Sequence, residues 1–431
     1  MFPSRTAPNL KNNLMSSDTY TPQFALLDLS KWRNVPWILI AVGAIGAIGG
    51  AAMSGNAVKQ FAFSWLLAFM FYLSLALGGW FLVMVHHLVD ASWSVPIRRV
   101  METMACLLCP TLLILFLPVA FLAPKIYPWL QSAEQMHLAH ALSSKYPLFT
   151  TPGYYIAAAA LFAVWWLFSN RLRYWSLQQD QTGSARCTSK MRLYSCLGIV
   201  CFALSLTLAA IMWMKGLTDE WYSTMYGVCY FAASVWTTLP TVYVITLVLQ
   251  RAGVLKGVVN EKTYYMIGSL FFAFTVFWAY VNFAQYFIIW NANMPEETFW
   301  YVLREKGTWD YVGKYAIIFG HFFVPFLMLL RIDWKLKLAV MVPLAAWAWL
   351  MHFVDIEFQI MPALHTDTIL TPGLLVDIAC VLFFGGVLAK VFIISFNRYP
   401  PFPQKDPRMA EALDIYIPPS TEIPTASERA K

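Results

Sequence analysis

Residues 61–87 read FAFSWLLAFMFYLSLALGGWFLVMVHH, an apolar run of 27 residues that contains no Asp, Glu, Lys or Arg. A transmembrane helix needs about 20 predominantly apolar residues to cross the hydrocarbon core of a bilayer. This run exceeds that minimum, which indicates a helix that tilts or extends beyond the bilayer. It predicts that the chain is an integral membrane protein.

Nine further apolar runs of spanning length occur along the chain, each bounded by charged residues or by Pro and Gly. The ten predicted spans cover residues 35–54, 61–87, 101–123, 151–169, 194–215, 222–250, 264–290, 313–331, 338–360 and 372–396. The pattern predicts an all-α integral membrane protein of about ten transmembrane helices. It divides the chain into an N-terminal segment (1–34), a ten-span membrane domain (35–396) and a C-terminal tail (397–431).

The composition argues against a soluble protein and against a nucleic-acid partner. Hydrophobic residues make up 59% of the chain and charged residues 12%, against about 25% charged in ordinary soluble domains. A nucleic-acid partner would need a basic patch on a water-facing domain, whereas the basic residues here lie in short connections between spans. Of the 29 Lys and Arg outside the spans, 22 lie in the termini and the even-numbered connections. The positive-inside rule therefore predicts that both termini are cytoplasmic.

The connection after the seventh span carries a helix signal of its own. Asn293 can cap a helix, Pro295 suits its first turn, and Glu296 follows the cap by three residues. We expect a short amphipathic helix on the outer membrane surface. The C-terminal tail is rich in Pro and charge, and we expect it to be extended and held by partner proteins.

Ionisable residues inside a membrane are costly and are therefore the first candidates for function. The candidates are His86, His87 and Asp90 near the cytoplasmic end of span two, His321 in span eight, His352 and Asp355 in span nine, and Asp377 and Lys390 in span ten. The candidates of span nine and the Asp of span ten fall in the outer half of the membrane, whereas those of span two and the Lys fall in the inner part. A group of several titratable residues thus approaches each membrane face, as two half-channels for protons would require.

Span seven adds a one-sided polar stripe, Trp278, Asn282 and Gln285, which leads toward the outer surface. A structural role is the alternative at every candidate position. Lys390 could extend its amine to the interface, the residues of span two could be interfacial, and the His and Asp residues of spans nine and ten could serve only as hydrogen-bonding partners. Glu357 is expected to be solvated near the outer boundary.

The sequence lacks the ligand patterns of redox cofactors. Its seven Cys are scattered, without a C-x-x-C-H for covalent haem or a ferredoxin-like run, and Cys106 and Cys109 are expected to be packing residues. The widely spaced His pairs of two-haem cytochromes b are also missing, although a single haem between His321 and His352 is geometrically possible. We expect no metal, haem or iron–sulfur cluster in this chain.

Two stretches resemble a known family. Residues 274–300, FTVFWAYVNFAQYFIIWNANMPEETFW, and residues 91–102, ASWSVPIRRVME, resemble the second large membrane subunit of alternative complex III, a bacterial quinol:electron-acceptor oxidoreductase. The ten-span layout is similar as well. The resemblance implies a polysulfide-reductase-like fold in the bacterial inner membrane, with eight of the ten helices in two four-helix bundles.

The resemblance also implies partners and a role. The expected partners are a sister ten-span subunit that binds menaquinol, an iron–sulfur subunit, multihaem and monohaem cytochrome c subunits, small membrane anchors and lipids. The second large subunit of this family carries no redox centre and is proposed to pass protons. By resemblance, the chain would provide a proton path and a scaffold, and it would not be catalytic alone.

Two other functions remain open at the level of the sequence. A secondary transporter would also have about ten spans with charges near the midplane, and it would tend to show paired broken helices. Residues 237–241 of span six, Thr-Thr-Leu-Pro-Thr, are a possible break, but no matching segment is found. A purely structural membrane anchor is the second alternative.

Overall fold

The computed structural model describes residues 33–53, 56–130 and 146–414. Within these residues every regular element is helical and no strand occurs. The α-helices are α1 (Val35–Met53), α2 (Ala57–Leu88), α3 (Arg98–Cys106), α4 (Leu113–Ile126), α5 (Thr151–Thr182), α6 (Ala185–Trp213), α7 (Tyr226–Arg251), α8 (Glu261–Ala292), α9 (Pro295–Arg304), α10 (Gly307–Tyr311), α11 (Val324–Leu330), α12 (Ile332–Leu336), α13 (Leu338–Ile360), α14 (Gly373–Asn397) and α15 (Met409–Ala412).

Nine helical segments in the described part of the chain are long and apolar enough to cross a membrane. Two of them join several elements: α3 and α4 belong to the segment Val95–Ile126, and α10 and α11 belong to Gly307–Leu330. α1 is also apolar, but its apolar part, Val35–Gly50, is shorter. The predicted all-α, multi-pass membrane architecture is confirmed. Residues 1–32 of the predicted N-terminal segment and residues 415–431 of the predicted tail lie outside the described residues.

α2 forms the centre of the fold. It packs against α3, α4, α6, α7, α13 and α14, and nearly all of its most apolar stretch is buried. A helix that is apolar on every face is expected in such a central position. Gly78 allows α2 to approach α7 closely, because an added Cβ would lie 2.1 Å from Oγ1 of Thr238.

α1 packs along α14 through small residues. A Cβ added at Gly43 or Gly46 would collide with α14, and small residues commonly allow close packing of membrane helices. Gly386 lies beside Pro36, and Gly50 lies beside Val376. The two helices are therefore antiparallel, so that the start of α1 and the end of α14 lie on the same side of the membrane domain.

We call that side the tail side, because residues 398–414 fold back onto it. Met409 and Ala412 of α15 pack with Val95 and Val258, which belong to the connections after α2 and α7. Residues 398–414 of the tail therefore pack against the membrane domain of this chain, and the expectation that partner proteins hold the tail stays a prediction. The other side, which carries the connections around residues 127–130, 214–225 and 361–372, is called the distal side.

Two spans are less regular than the sequence pattern suggested. Between α3 and α4, Cys109 has the non-helical backbone angles φ −148° and ψ 131°. The residue before a proline is pushed toward extended conformations, and Pro110 follows. Between α10 and α11, residues Val312–Phe323 form a π-helix. By contrast, the possible break at residues 237–241 lies inside the continuous helix α7.

The short helix predicted after the seventh span is present as α9, but its cap differs. Asn293 adopts a left-handed conformation, with φ 49°, and ends α8 instead of starting α9. The N-cap of α9 is Met294, which makes no side-chain capping bond. Trp300 of α9 is buried and stacks on Trp221 with 4.5 Å between ring centroids. α9 is thus packed into the distal side of the protein.

Candidate functional site

Three predicted residues meet near the middle of the membrane domain: His321, His352 and Asp355. One possible ligand atom of each lies within 4.8 Å of the others. His352 Nε2 is 2.8 Å from Oγ of Ser74, which lies near the midpoint of α2. His321 Nε2 is 3.9 Å from Oδ2 of Asp355. The site is buried, because none of these side chains is more than 6% exposed.

His321 is held between two indole rings. Its ring centroid lies 3.8 Å from that of Trp236 and 3.7 Å from that of Trp278, and both ring pairs are stacked with interplanar angles of 20°. The imidazole is thus enclosed between two aromatic faces. Trp278 belongs to the predicted polar stripe, whereas no sequence signal placed Trp236 beside His321.

A small cavity adjoins Asp355 on the distal side. Its volume is about 20 Å³, and Asp355, Asn282, Gln359 and Tyr226 are among its lining residues. A water molecule needs roughly 10–15 Å³ and two or more polar partners. The cavity therefore fits one water molecule that could connect Asp355 to Asn282 of the polar stripe.

The remaining member of the polar stripe continues this polar region toward the distal surface. Gln285 Oε1 accepts a hydrogen bond from Oγ of Ser223 at 2.8 Å, and its Nε2 donates to the Tyr301 hydroxyl at 2.9 Å. Ser223 lies in the connection between α6 and α7. The stripe predicted from helix periodicity is thus connected to the distal side at one end, and its other end faces the central His–Asp cluster.

Asp377 belongs to a second buried group nearer the distal side. Gln60 Nε2 donates to Oδ1 of Asp377 at 3.4 Å, and Gln60 Oε1 is 2.6 Å from Nε2 of the half-buried His365. His365 lies in the connection between α13 and α14. Burial and the charge of Lys59 lower the pKa of His365. A polar connection therefore runs from the distal surface to Asp377.

Glu357 was expected to be solvated, and that expectation is wrong. Its side chain is buried, and its carboxyl group interacts with that of Asp377. Neither Glu357 oxygen has a partner with full hydrogen-bond geometry among the described residues. Two neighbouring carboxylates repel each other, and a single shared proton removes this repulsion. The carboxyl groups of Glu357 and Asp377 can therefore share one proton.

The candidates on the tail side form a different kind of group. His86 Nδ1 is 2.7 Å from Oγ of Ser94, and its Nε2 is 3.2 Å from Nη2 of Arg408. Asp90 is largely exposed and accepts hydrogen bonds from Arg192 and Arg408. Asp90 is thus paired with arginines at the tail-side end of α2.

Two further tail-side candidates do not join this hydrogen-bonded group. Lys390 lies apart, with Nζ 5.5 Å from the ring centroid of Trp37 on α1. Both ring nitrogens of His87 lack a hydrogen-bond partner among the described residues. His86 lies twelve positions after Ser74 on α2, about 18 Å along the helix at 1.5 Å per residue. The tail-side group is therefore not in direct contact with the central cluster.

A buried network of charges beneath the tail was not predicted. Arg98 and Arg99 both pair with Glu102, at 3.1 and 2.9 Å, and Arg98 also pairs with Asp406 of the tail. Burial would raise the pKa of Asp406, but the charges of Arg98 and Arg408 outweigh it and lower this pKa to about 2. The i, i+3 and i, i+4 spacing of Arg98, Arg99 and Glu102 in the sequence could have indicated these ion pairs.

The network continues through partners on α5. Asp180 pairs with Arg99, and Arg173 pairs with Glu102 at 3.3 Å. The cluster thus joins the third span, α5 and the tail. Every buried acid named in it faces at least one guanidinium group, which is the pattern of a structural ion network.

Arg304 is a further buried charge that the sequence pattern missed. Its guanidinium carbon lies 3.4 Å from the ring centroid of Trp300. It donates to the backbone carbonyls of Trp300, Phe358 and Gln359. Arg304 therefore joins α9 to the distal end of α13, the helix that carries Asp355 and Glu357.

Two imidazoles and a carboxylate are also donors that transition metals use, and within the described residues His321, His352 and Asp355 could provide one such group. His352 Nε2 faces Ser74, whereas His352 Nδ1 and both ring nitrogens of His321 have no hydrogen-bond partner among the described residues. No protein-family model and no curated protein matches this chain.

Proposed function

We propose that this chain is a membrane subunit of a quinol:electron-acceptor oxidoreductase of the alternative complex III type, which conducts protons and holds its partners on the membrane. The two stretches at residues 91–102 and 274–300 support the family. The nine long apolar helices agree with it. The subunit would carry no redox centre and would not be catalytic alone.

The proposed proton role rests on one observation, the kind of partner that each buried acid has. Asp355, Glu357 and Asp377 face neutral polar groups, histidines or each other, whereas the buried acids beneath the tail face arginines. An acid that is kept in a membrane interior without a cationic partner is costly. Such an acid is best explained by the transfer of protons.

Two routes from the distal side reach these acids. One passes from His365 through Gln60 to Asp377 and Glu357. The other passes from Gln285 and Asn282 through the small cavity to Asp355, which adjoins His321. We propose that these routes form the outer half-channel and that His86 and His87 belong to the inner half-channel, completed by internal water.

The proposal includes a topology and a set of partners. The tail side would be cytoplasmic, with both termini there, in a bacterial inner membrane, and eight helices would form two four-helix bundles. The sister ten-span subunit would oxidise menaquinol, and electrons would pass to iron–sulfur clusters and to haem c in the other subunits. The excess of Lys and Arg on the tail side supports this orientation.

The test replaces buried acids by amides in the assembled complex. Asp355→Asn and Asp377→Asn keep the shape of the side chain and abolish its titration. Quinol oxidation should continue in sealed vesicles, while the number of protons moved per electron falls. Asp333→Asn, at a side chain that is 70% exposed on the tail side, is the matched control and should leave the ratio unchanged.

Other results would support the alternatives. Unchanged proton-to-electron ratios in both buried variants would refute the proton path and leave the role of scaffold. A chain that purifies from mild detergent without redox partners, and that carries a solute across proteoliposomes, would be a transporter. The recovery of iron–sulfur and cytochrome c subunits with the chain would support the proposed complex.

A further inference from the structure

The central cluster of His321, His352 and Asp355 has the donor atoms of a metal site. One candidate ligand atom of each residue lies within 4.8 Å of the others, and His321 Nε2 is 3.9 Å from Asp355 Oδ2. Two ligands of a tetrahedral Zn²⁺ ion, bonded at about 2.0–2.1 Å, lie about 3.4 Å apart. Side-chain shifts of about 1.5 Å or less would therefore bring the three atoms to the distances that a metal ion requires.

The contacts of His352 show which of its ring nitrogens carries the proton. The Ser74 hydroxyl has a single hydrogen and donates it to the carbonyl of Phe71 at 2.6 Å. Ser74 Oγ, which is 2.8 Å from His352 Nε2, therefore accepts a hydrogen bond from an Nε2–H group. The neutral ring then has a bare lone pair on Nδ1, which has no hydrogen-bond partner among the described residues. Histidines that bind metal ions commonly donate their other N–H group in this way.

His321 offers a second lone pair, in a ring whose plane is fixed. Trp236 and Trp278 stack on its two faces, so that only the ring edge, where the nitrogens lie, is open to a ligand. A metal ion binds an imidazole in the plane of the ring, and the two indoles therefore leave its approach free. The side chain is fully buried, yet neither nitrogen has a partner within the described part of the chain. Buried polar groups nearly always have one.

Asp355 supplies the negative charge of the cluster. Within the described residues its carboxylate pairs with no Lys or Arg, and its neighbours Trp278 and Gln359 are neutral. The cavity of about 20 Å³ beside it has room for one water molecule. Three protein ligands and one water molecule make up the open form of a zinc site.

We propose that His321, His352 and Asp355 reversibly bind a divalent transition-metal ion of the Zn²⁺ type. Imidazole nitrogen and carboxylate oxygen are ligands that Zn²⁺ accepts, and a bound ion would give the unpaired ring nitrogens and the buried carboxylate a partner. The site departs from the expectation that the chain holds no metal, but Zn²⁺ is not a redox centre. The metal-free protein would be the working state.

The consequence of binding rests on the proposed proton path, whereas the binding itself does not. An ion on Asp355 would close the route that passes through the small cavity, because it occupies the carboxylate at the end of that route. The route from His365 to Asp377 would stay open. The ion would therefore inhibit proton movement in part.

The test measures Zn²⁺ binding to the purified full-length protein, carrying an affinity tag without histidine, by equilibrium dialysis and elemental analysis. The unchanged protein should bind one Zn²⁺ that Asp355→Asn and His352→Gln each weaken at least tenfold, since even outer-shell changes at metal sites cost about 10–100-fold. Asp377→Asn, at a buried acid outside the cluster, is the matched control and should leave this binding unchanged. X-ray absorption at the zinc edge should show imidazole ligands.

Thermal melting shows whether each variant is folded, and Asp355→Asn is the less disruptive of the two. Zn²⁺ binding that is equal in the folded Asp355→Asn variant and the unchanged protein would refute the site. A zinc edge without imidazole ligands would refute it in the unchanged protein alone, without any variant.

Proton movement is measured separately, with the assembled complex in sealed vesicles. Zn²⁺ should lower the number of protons moved per electron in the unchanged complex and should have no further effect on Asp355→Asn. If Zn²⁺ binds to the cluster and this ratio does not change, the metal site stands and the route through Asp355 is refuted. If the ratio falls equally in Asp355→Asn, the inhibition arises elsewhere and the proposed consequence is wrong.

Discussion

Replacing Asp406 by Asn should release the tail from the membrane domain. The Asp406 carboxylate pairs with Arg98 and Arg408 and is only 4% exposed. These charges hold its pKa at about 2, against 3.8 for a free Asp. The difference corresponds to about 2–3 kcal/mol at about 1.4 kcal/mol per pKa unit. Asn cannot carry the charge, so we expect the docked tail to lose about this amount of stability.

Hydrogen exchange of the tail amides measures this loss directly. When opening is rapid and reversible, a loss of about 2–3 kcal/mol makes exchange roughly 30- to 150-fold faster. The amides of Met409, Ala412 and Leu413 are suitable probes, because each is bonded within the docked tail. Asp414→Asn is the matched control on the same segment. Its charged partner is Lys262 at 3.5 Å, Asn260 Nδ2 donates to it at 3.3 Å, and its side chain is 65% exposed. Exposed pairs contribute little.

The pH dependence of the docked tail's stability tests independently whether the Asp406 carboxylate stabilises it. The folded pKa of Asp406 is lower than its unfolded pKa, so its contribution is complete above about pH 4 and is lost as pH falls toward about 2. The opening constant of the tail, obtained by dividing each exchange rate by the intrinsic amide rate at that pH, should therefore rise over this interval, and Asp406→Asn should flatten that part of the profile. An acceleration below threefold in Asp406→Asn at pH 7 would refute the argument.

The remaining predictions concern topology, cofactors and the distal side. A fluorescent reporter fused after Lys431 should fold in the cytoplasm, and alkaline phosphatase activity from the same position would refute the assigned orientation. The isolated chain should have a flat visible spectrum, whereas a Soret band that shifts on reduction and is lost in His321→Ala would indicate a haem. Arg304→Met should lower the free energy of unfolding by about 3–5 kcal/mol, because three backbone carbonyls lose their hydrogen-bond donor and a buried charged contact is lost. Arg331→Met, at a largely exposed side chain, is the control and should not alter thermal melting.

The spans could be predicted because the bilayer leaves few choices. A chain in hydrocarbon must satisfy its backbone within each segment, so that length and apolarity are nearly sufficient to locate helices. The irregularities are harder to locate from hydropathy, because a broken span is as apolar as a regular one. The local signal at Cys109 was nevertheless available, since the residue before a proline favours extended angles.

The candidate site could be predicted only in part, because a sequence pattern describes each helix separately. Periodicity places Trp278, Asn282 and Gln285 on one face and gives the depth of each residue along its own helix. It does not say which helices are neighbours. The contacts of Trp236 with His321, and of Glu357 with Asp377, depend on that missing information. Glu357 was therefore assigned to solvent, although the packing of α13 against neighbouring helices buries it.

The distinction between the two kinds of buried acid can itself be tested by one chemical change. Asp→Asn at residue 406 removes a charge that a guanidinium needs, so that stability should fall while no proton step is affected. Asp→Asn at residue 355 removes a charge that no cation needs, and the amide can still accept the hydrogen bond that Trp278 donates. That variant should remain stable and assemble. If it loses proton movement while Asp406→Asn does not, the partner of each acid, rather than its depth in the membrane, separates the functional groups from the structural ones.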